Sequence, residues 1–287
     1  MHTFTQRADV RAFTAAARLA GQRVGFVPTM GALHAGHLDL VRRAVADCDV
    51  VVASIFVNPR QFNNPQDLAA YPRLPTADAA LLAAAGCHAL FLPDAPEMYP
   101  APPVTTLSFG PLEAVLEGAH RPGHFAGVGL VVAKLLHLVA PHAAWFGQKD
   151  LQQVAVIRAL VRDLDFDVAL EVAPTTREAD GLAMSSRNRR LTPAERAAAP
   201  ALYGALSATR TALLRGATVH EAQAEGAARL AADPAFRVEY FAVIDAHSLQ
   251  LVPPADGLPP SETAVVVAAH LGAVRLIDNV VLPSALA

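Results

Sequence analysis

Short apolar runs alternate with helix-like stretches over roughly the first 175 residues of this 287-residue chain. Such alternation is typical of parallel strands joined by crossover helices. Several of the runs are continuously apolar, as expected for strands covered on both faces. We therefore predict an α/β fold with a Rossmann-like parallel sheet. The predicted strands are 23–27, 49–57, 88–92, 143–146 and 167–172, and the predicted helices are 9–20, 37–46, 76–85, 126–138 and 150–162.

The pattern changes near residue 176, where a polar and basic segment leads into alanine-rich helices. Three closely spaced strands then follow, a spacing that favours an antiparallel sheet. We predict two domains, a Rossmann-like domain over 1–175 and a smaller C-terminal α+β domain over 176–287. In the second domain the predicted helices are 193–213 and 219–231, and the predicted strands are 237–244, 263–269 and 273–281.

Composition narrows the class of protein. Hydrophobic residues make up 53% of the chain, which is enough for a substantial core. With 23 basic and 26 acidic residues the net charge is −3, so no global attraction to nucleic acid or an anionic membrane is expected. Cys48 and Cys87 lie in apolar surroundings, which favours buried thiols. No run reaches the length of a membrane span and the first residues lack a signal-peptide core, so we expect a cytoplasmic protein.

The stretch 24–40, VGFVPTMGALHAGHLDL, carries the strongest chemical signal. After a predicted strand and a Pro/Gly turn, a helix is expected to begin near Gly36 and His37. A helix start attracts anions, and His34 and His37 add donors that suit a polyphosphate. The alternatives at this stage are an ordinary surface feature or half of a zinc site, although zinc would need at least one more protein ligand. The glycines of the stretch do not form G-x-G-x-x-G, so a dinucleotide-dependent hydride-transfer enzyme is poorly supported.

Two further polar segments follow predicted strands, at the carboxyl ends where ligands of α/β sheets bind, and a third follows the predicted domain boundary. Neutral amides suit hydroxyl or carboxylate oxygens, a lysine neutralises phosphate, and serines with an arginine can close over a triphosphate. The alternatives are an ordinary turn for the amide segment, a helix cap with a solvated lysine for the lysine segment, and a mobile linker for the serine and arginine segment. These segments contain Asn58 and Gln61; Lys149, Asp150 and Gln153; and Ser185, Ser186 and Arg187 after Gly181.

Together these motifs resemble a known family. H34-A-G-H37 resembles the H-x-G-H signature of nucleotidylyltransferases, and GLAMSSRN at 181–188 resembles their downstream lid motif. Adding SIFVNPRQF (54–62), HFAGV (124–128), FGQKDLQQ (146–153) and TREADGLAMSSRN (176–188), the chain closely resembles the pantoate–β-alanine ligases. The resemblance is specific from about residue 20 to 195 and weaker beyond.

The resemblance implies an ATP-dependent ligase that condenses (R)-pantoate with β-alanine through pantoyl adenylate, releasing pyrophosphate and AMP. Domain 1–175 would bind the nucleotide and pantoate, and domain 176–287 would act as a lid. A homodimer is implied, with neither nucleic acid nor membrane as partner.

The same resemblance assigns roles to individual residues. The implied catalytic residues are His34, His37, Lys149, Ser185, Ser186 and Arg187. The implied ATP-binding residues are Met30, His37, Gly147, Lys149, Asp150, Thr176, Met184, Ser185, Ser186 and Arg187. Those that would hold pantoate are Gln61, Gln153, Met30 and Phe62.

The resemblance also implies that Mg²⁺ accompanies ATP, bound largely by ATP oxygens and water. The chain departs from the family pattern after AYPR, where LPTAD replaces an acidic run and Asp78 is the remaining candidate ligand. Gln148 also stands before Lys149 where an acid is common, a change from which little consequence is expected.

Three other functions remain open at this stage. Another H-x-G-H nucleotidylyltransferase should need further basic residues for a second phosphate, whereas the loops here carry mainly amides. A class I aminoacyl-tRNA synthetase should need a basic tRNA-binding face, which residues 195–287 do not show. A non-catalytic nucleotide-sensing module would bind ATP without turnover, and the intact histidines and lid motif argue against it.

Overall fold

The computed structural model describes residues 1–253 and 262–282. The chain divides into two compact units, one formed by Met1–Gly147 with Val156–Pro174 and the other by Gln148–Ala155 with Thr175–Ala287. The grouping of 148–155 with the second unit was not indicated by the sequence pattern. The nucleotide-binding and lid roles given to the two domains stay predictions.

The first unit contains a six-stranded sheet in the order β1-β4-β3-β2-β5-β6, in which all neighbours are parallel. This confirms the predicted Rossmann-like fold. The one strand that was not predicted is β1, whose three residues at the sheet edge are too few for a period to be recognised. The strands are β1 (His2–Phe4), β2 (Val24–Thr29), β3 (Val50–Ile55), β4 (Ala89–Phe91), β5 (Ala143–Gly147) and β6 (Ala169–Ala173).

The five predicted helices of this part of the chain are present, with ends shifted by one or two residues. They are α1 (Arg7–Leu19), α2 (Ala35–Asp47), α4 (Pro75–Ala84), α7 (His124–Val139) and α8 (Leu151–Asp163). Three short helices were not predicted, namely α3 (Pro65–Ala70), α5 (Ala95–Met98) and α6 (Leu116–His120). They are too short to show a helical repeat in the sequence.

The strand order places a topological switch point beside β2. From β2 the chain proceeds through β3 to β4 on one side, and β5 then pairs with β2 on the other side. Ligands of open α/β sheets bind at such a point, outside the carboxyl ends of the strands. The loop that follows Thr29 begins there. Because Val24, Phe26 and Val27 are fully buried, the strand that carries this loop is firmly held.

The second unit contains a three-stranded antiparallel sheet in the order β7-β8-β9, which confirms the predicted α+β part. Its strands are β7 (Phe236–Asp245), β8 (Thr263–Leu271) and β9 (Val274–Leu282). Its helices are α9 (Pro193–Ala198), α10 (Ala201–Leu214) and α11 (Val219–Ala231). Leu202 and Leu206 of α10 pack with Val265 and Val267 of β8 in one apolar core.

The prediction of a single helix over 193–213 is wrong, because the structure has two helices there, α9 and α10. The break falls at Pro200, which has no N–H to donate to the carbonyl of Arg196 and whose ring would clash with that carbonyl in a continuous helix. In the part of the chain that the structure describes, no helix combines the length and apolarity needed to cross a membrane.

Candidate active site

The loop after β2 is held by a buried carboxylate. Gly31 and Ala32 adopt left-handed backbone conformations, with φ of +81° and +52°. Asp78, in the first turn of α4 and 2% exposed, accepts the N–H of Ala32 through Oδ2 (2.8 Å) and that of Leu33 through Oδ1 (2.9 Å). Since a non-glycine residue rarely adopts a positive φ without compensation, these two bonds stabilise the loop. Both oxygens of the carboxylate considered as a Mg²⁺ ligand are thus bound to backbone N–H groups.

The two histidines cap the helix that follows this loop. His34 is the N-cap residue of α2, and its Nδ1 accepts the N–H of Gly36 (3.2 Å). The Nδ1 of His37 accepts the N–H of His34 (3.4 Å), and the ring centroids lie 4.0 Å apart. Because each Nδ1 is an acceptor, the hydrogen of each neutral ring is on Nε2. The helix start therefore presents two imidazole N–H donors in addition to its dipole.

An amide cluster follows β3. Asn58, 1% exposed, caps the 3-10 helix Pro59–Gln61 and donates through Nδ2 to Gln61 Oε1 and to the Gly127 carbonyl, each at 3.1 Å. Gln61 Nε2 lies 3.1 Å from the sulfur of Met30. The Gln61 side chain is therefore fixed beside Met30. The resemblance implies that both residues contact pantoate.

The cluster is supported from two other elements. The Tyr99 hydroxyl donates to Asn58 Oδ1 (3.0 Å), and burial raises the pKa of Tyr99 to about 12, so the phenol stays neutral. The ring of His124, at the start of α7, hydrogen-bonds to the Gln61 carbonyl through Nδ1 at 2.8 Å. Phe62 follows directly and packs edge-on against Tyr71, with ring centroids 5.8 Å apart. Apolar and amide groups thus lie side by side in this part of the first unit.

In the second unit Lys149 lies in the 3-10 turn Gln148–Asp150, directly after Gly147 ends β5. The lysine side chain is only 16% exposed, and its Nζ is 3.7 Å from Asp150 Oδ1. One helical turn further on, Gln153 is half-buried whereas Gln152 is buried. A largely buried ammonium with one loose carboxylate contact is suited to bind phosphate oxygens.

The serine and arginine motif lies on a short, ordered turn. Met184 donates its N–H to the Thr176 carbonyl (3.0 Å), which brings the two ends of this loop together. Ser185 caps the 3-10 helix Ser186–Arg190 and accepts the N–H of Arg187 (3.2 Å). A cavity in the second unit brings together three of the predicted ATP-binding residues. Its polar lining consists of Lys149, Ser185, Arg187, Asn188, Arg275 and Asp278.

Some supporting residues were not predicted from the sequence. Tyr99 gave no signal, since it occurs in a Pro-rich segment far from any motif. Asp278 and Asn279 did give one, because a carboxylate and an amide stand between the apolar pairs Leu276–Ile277 and Val280–Val281 of a strand, and such residues are buried only with partners. Among the described residues no group of three or more His, Cys, Asp or Glu side chains could hold a metal ion.

Comparisons with known proteins identify the family. The sequence model of the family described as pantoate-beta-alanine ligase matches residues 2–281. The chain is 49% identical to a pantothenate synthetase of Porphyromonas gingivalis, covering 98% of this chain and 99% of that protein. It is 50% identical to one of Cereibacter sphaeroides, with 95% and 96% covered.

Two solved structures that resemble this chain belong to the same family. The crystal structure of pantothenate synthetase from Thermus thermophilus superposes with a TM-score of 0.91 at 47% identity, covering 98% of this chain and 99% of that one. A pantoate-beta-alanine ligase from Francisella tularensis, complexed with beta-gamma ATP and beta-alanine, gives 0.78 at 33% identity, with 98% and 97% covered. By sequence and by fold, the chain belongs to the pantoate-beta-alanine ligase family.

Proposed function

We propose that this enzyme condenses (R)-pantoate with β-alanine in two steps. A carboxylate oxygen of pantoate attacks the α-phosphorus of ATP, the bond to the β-phosphate breaks, and pyrophosphate leaves. The amine of β-alanine then attacks the acyl carbon of pantoyl adenylate, AMP leaves, and the amine nitrogen releases its proton to water. Pantoate is already ionised at neutral pH, so the first step requires no general base. The protein must align the reactants and stabilise phosphoryl charge.

The observation that carries this proposal is the double histidine cap of α2. With Nδ1 of both rings accepting backbone N–H groups, Nε2–H is the donor group that each neutral ring offers. We assign His34 and His37 to the α-phosphate, where negative charge develops during attack. Donors fixed before the reaction are worth more than donors that must reorient, and the backbone bonds to Nδ1 fix both rings.

The second unit supplies cationic and hydroxyl groups for the triphosphate. We assign Lys149, Ser185, Ser186 and Arg187 to phosphate oxygens. Three of them, Lys149, Ser185 and Arg187, line one cavity about the size of a water molecule, and it is their proximity to one another that supports the assignment. Asp150, half-buried next to Lys149, is suited to accept from ribose hydroxyls, with Gly147 close to it in the chain. Mg²⁺ would be held by ATP oxygens and water, which suits a protein whose candidate ligand Asp78 is bound by two backbone N–H groups.

The amide groups favour a small hydroxy acid as the second substrate. Gln61 is locked by Asn58 and lies against Met30, so an amide and a thioether adjoin one another. Such a pair suits pantoate, which has hydroxyl and carboxylate oxygens together with an apolar dimethyl group. We assign Gln61, Met30 and Phe62 to pantoate, and Gln153 to the same substrate. The homodimer and the cytoplasmic location implied by the resemblance remain predictions.

The test is pantoate-dependent exchange of labelled pyrophosphate into ATP, followed by release of AMP when β-alanine is added. We expect exchange with pantoate alone and AMP release only with both substrates. Exchange that needs β-alanine, or that proceeds equally well without pantoate, would contradict the proposed reaction order.

A further inference from the structure

Two loops of the second unit that carry proposed ATP-binding residues are held by two neighbouring residues of β9, Asp278 and Asn279. Asn279, 3% exposed, donates through Nδ2 to the carbonyls of Gln148 (3.0 Å) and Lys149 (2.9 Å). Its Oδ1 accepts from Gln148 Nε2 at 3.4 Å. One buried side-chain amide therefore holds two successive carbonyls of the turn that carries Lys149.

The neighbouring residue holds the other loop. Asp278 accepts two hydrogen bonds from Arg177, from Nη1 to Oδ2 at 2.6 Å and from Nη2 to Oδ1 at 3.0 Å. The same guanidinium donates to the carbonyls of Gly181 and Asn279, each at 3.1 Å, and stacks 3.8 Å from the ring centre of Tyr203. Arg177 thereby fixes the segment that leads to Ser185. A bidentate contact of this kind constrains orientation as well as distance.

The electrostatics link the two loops further. Burial raises the pKa of the Asp278 carboxyl, and the Arg177 guanidinium, the Asn279 N–H and the Lys149 ammonium all oppose that rise. The buried carboxylate is thus stabilised by one cation from each loop. A buried charge is costly unless it is paired and hydrogen-bonded, so displacement of the Arg177 loop would leave this carboxylate poorly compensated.

We propose that Asp278 and Asn279 are positioning residues that fix the Lys149 turn and the Ser185–Arg187 turn relative to each other, so that both bind one triphosphate. They act through the loops and need no contact with the reacting atoms. This inference rests on the proposed function. The proposed positioning role is limited to adenylate formation, because pyrophosphate is no longer part of the reaction when β-alanine attacks.

The test compares the two half-reactions in Asn279 variants. Asn279→Ala removes the NH₂ group that donates both hydrogen bonds. Asn279→Asp keeps the shape of the side chain but places a carboxylate oxygen, which is an acceptor, against the two carbonyls. We expect single-turnover formation of pantoyl adenylate to slow by about 10- to 100-fold, the scale for misplacing a catalytic group by a fraction of an ångström to an ångström. The reaction of prepared pantoyl adenylate with β-alanine should keep its normal rate.

Val280→Ala is the matched control, because Val280 is the next residue of β9 and its side chain lies in the apolar core. It should lower thermal stability and leave both half-reactions near normal. The Asn279 change should also have little further effect in a Lys149→Ala background, since it acts through that lysine. Arg177→Lys, which keeps the charge but loses the bidentate contact, should raise the KM for ATP.

Equal slowing of both half-reactions in the Asn279 variants would overturn the inference, since that is the behaviour of a merely destabilised protein. Normal adenylate formation in these variants would overturn it as well. The proposed function is tested separately by the unsubstituted enzyme. If that enzyme shows no pantoate-dependent pyrophosphate exchange, the function fails, whereas normal exchange with unaffected Asn279 variants rejects only the positioning role.

Discussion

Asp78→Asn is the perturbation that best separates the structural account of this carboxylate from a role as a metal ligand. The native side chain accepts two backbone N–H groups, at 2.8 and 2.9 Å, in a loop where Ala32 has a φ of +52°. The amide oxygen of asparagine can replace one of these acceptors. Its NH₂ group then faces the second N–H, so one hydrogen bond is lost and a buried donor is left without a partner.

The expected magnitude follows from these two losses. A hydrogen bond to a charged group contributes about 1.5–3 kcal/mol, and a buried unsatisfied donor costs about 1–3 kcal/mol. The two terms overlap, so we expect Asp78→Asn to lower the free energy of unfolding by about 2–4 kcal/mol. Because the loop ends at His34, adenylate formation should also slow, by roughly 10- to 100-fold.

Urea unfolding gives the stability change, and single-turnover adenylate formation at a series of Mg²⁺ concentrations gives the activity. Asp9→Asn is the control, since Asp9 is an exposed acid in the first turn of α1 of the same unit. It should change stability by less than about 0.5 kcal/mol. We expect the Mg²⁺ concentration for half-maximal rate to be unchanged in Asp78→Asn. A large rise in that concentration with unaltered stability would refute the reasoning and identify Asp78 as a metal ligand.

Three further predictions concern other residues. His34→Ala and His37→Ala should each raise the adenylation barrier by about 2–4 kcal/mol, the scale for one preorganised donor, and near-normal single-turnover rates in both would reject their role. Gln153→Ala should weaken pantoate binding in a calorimetric titration while ATP binding is retained, and equal loss of both would contradict the assignment. Burial raises the pKa of Cys87 to about 11, so at pH 8 only about one thiol in a thousand is ionised. Alkylation followed by mass spectrometry should therefore be slow in the folded protein and fast in urea, and rapid modification of the folded protein would count against a buried thiol.

The parallel sheet could be predicted because its strands are apolar on both faces and separated by helical segments. The order of the strands could not, since pairing depends on contacts between residues far apart in the chain. The short strand β1 and the break at Pro200 show the other limits. The three residues of β1 are too few to show an alternating pattern. Near Pro200, alanine-rich residues on both sides of the proline favoured one continuous helix.

The candidate site was predictable where its residues stand close together in the sequence. His34 and His37 share one helix start, and Ser185 to Arg187 share one turn, so their chemistry could be recognised locally. The partners that hold these groups lie far away. Asn279 contacts carbonyls about 130 residues earlier in the chain, and no local pattern encodes such a contact.

The family assignment also decides between the functions that the sequence left open. A match to the pantoate-beta-alanine ligase model over residues 2–281 argues against an aminoacyl-tRNA synthetase. It also argues against a nucleotidylyltransferase that acts on a phosphorylated precursor.

The most direct test of the proposed intermediate uses pantoate labelled with ¹⁸O in its carboxylate. If a carboxylate oxygen attacks the α-phosphorus, that oxygen stays with phosphorus when the amine attacks the acyl carbon. We predict one ¹⁸O in each AMP released and none in pyrophosphate. Unlabelled AMP, or label in inorganic phosphate released together with ADP, would contradict it.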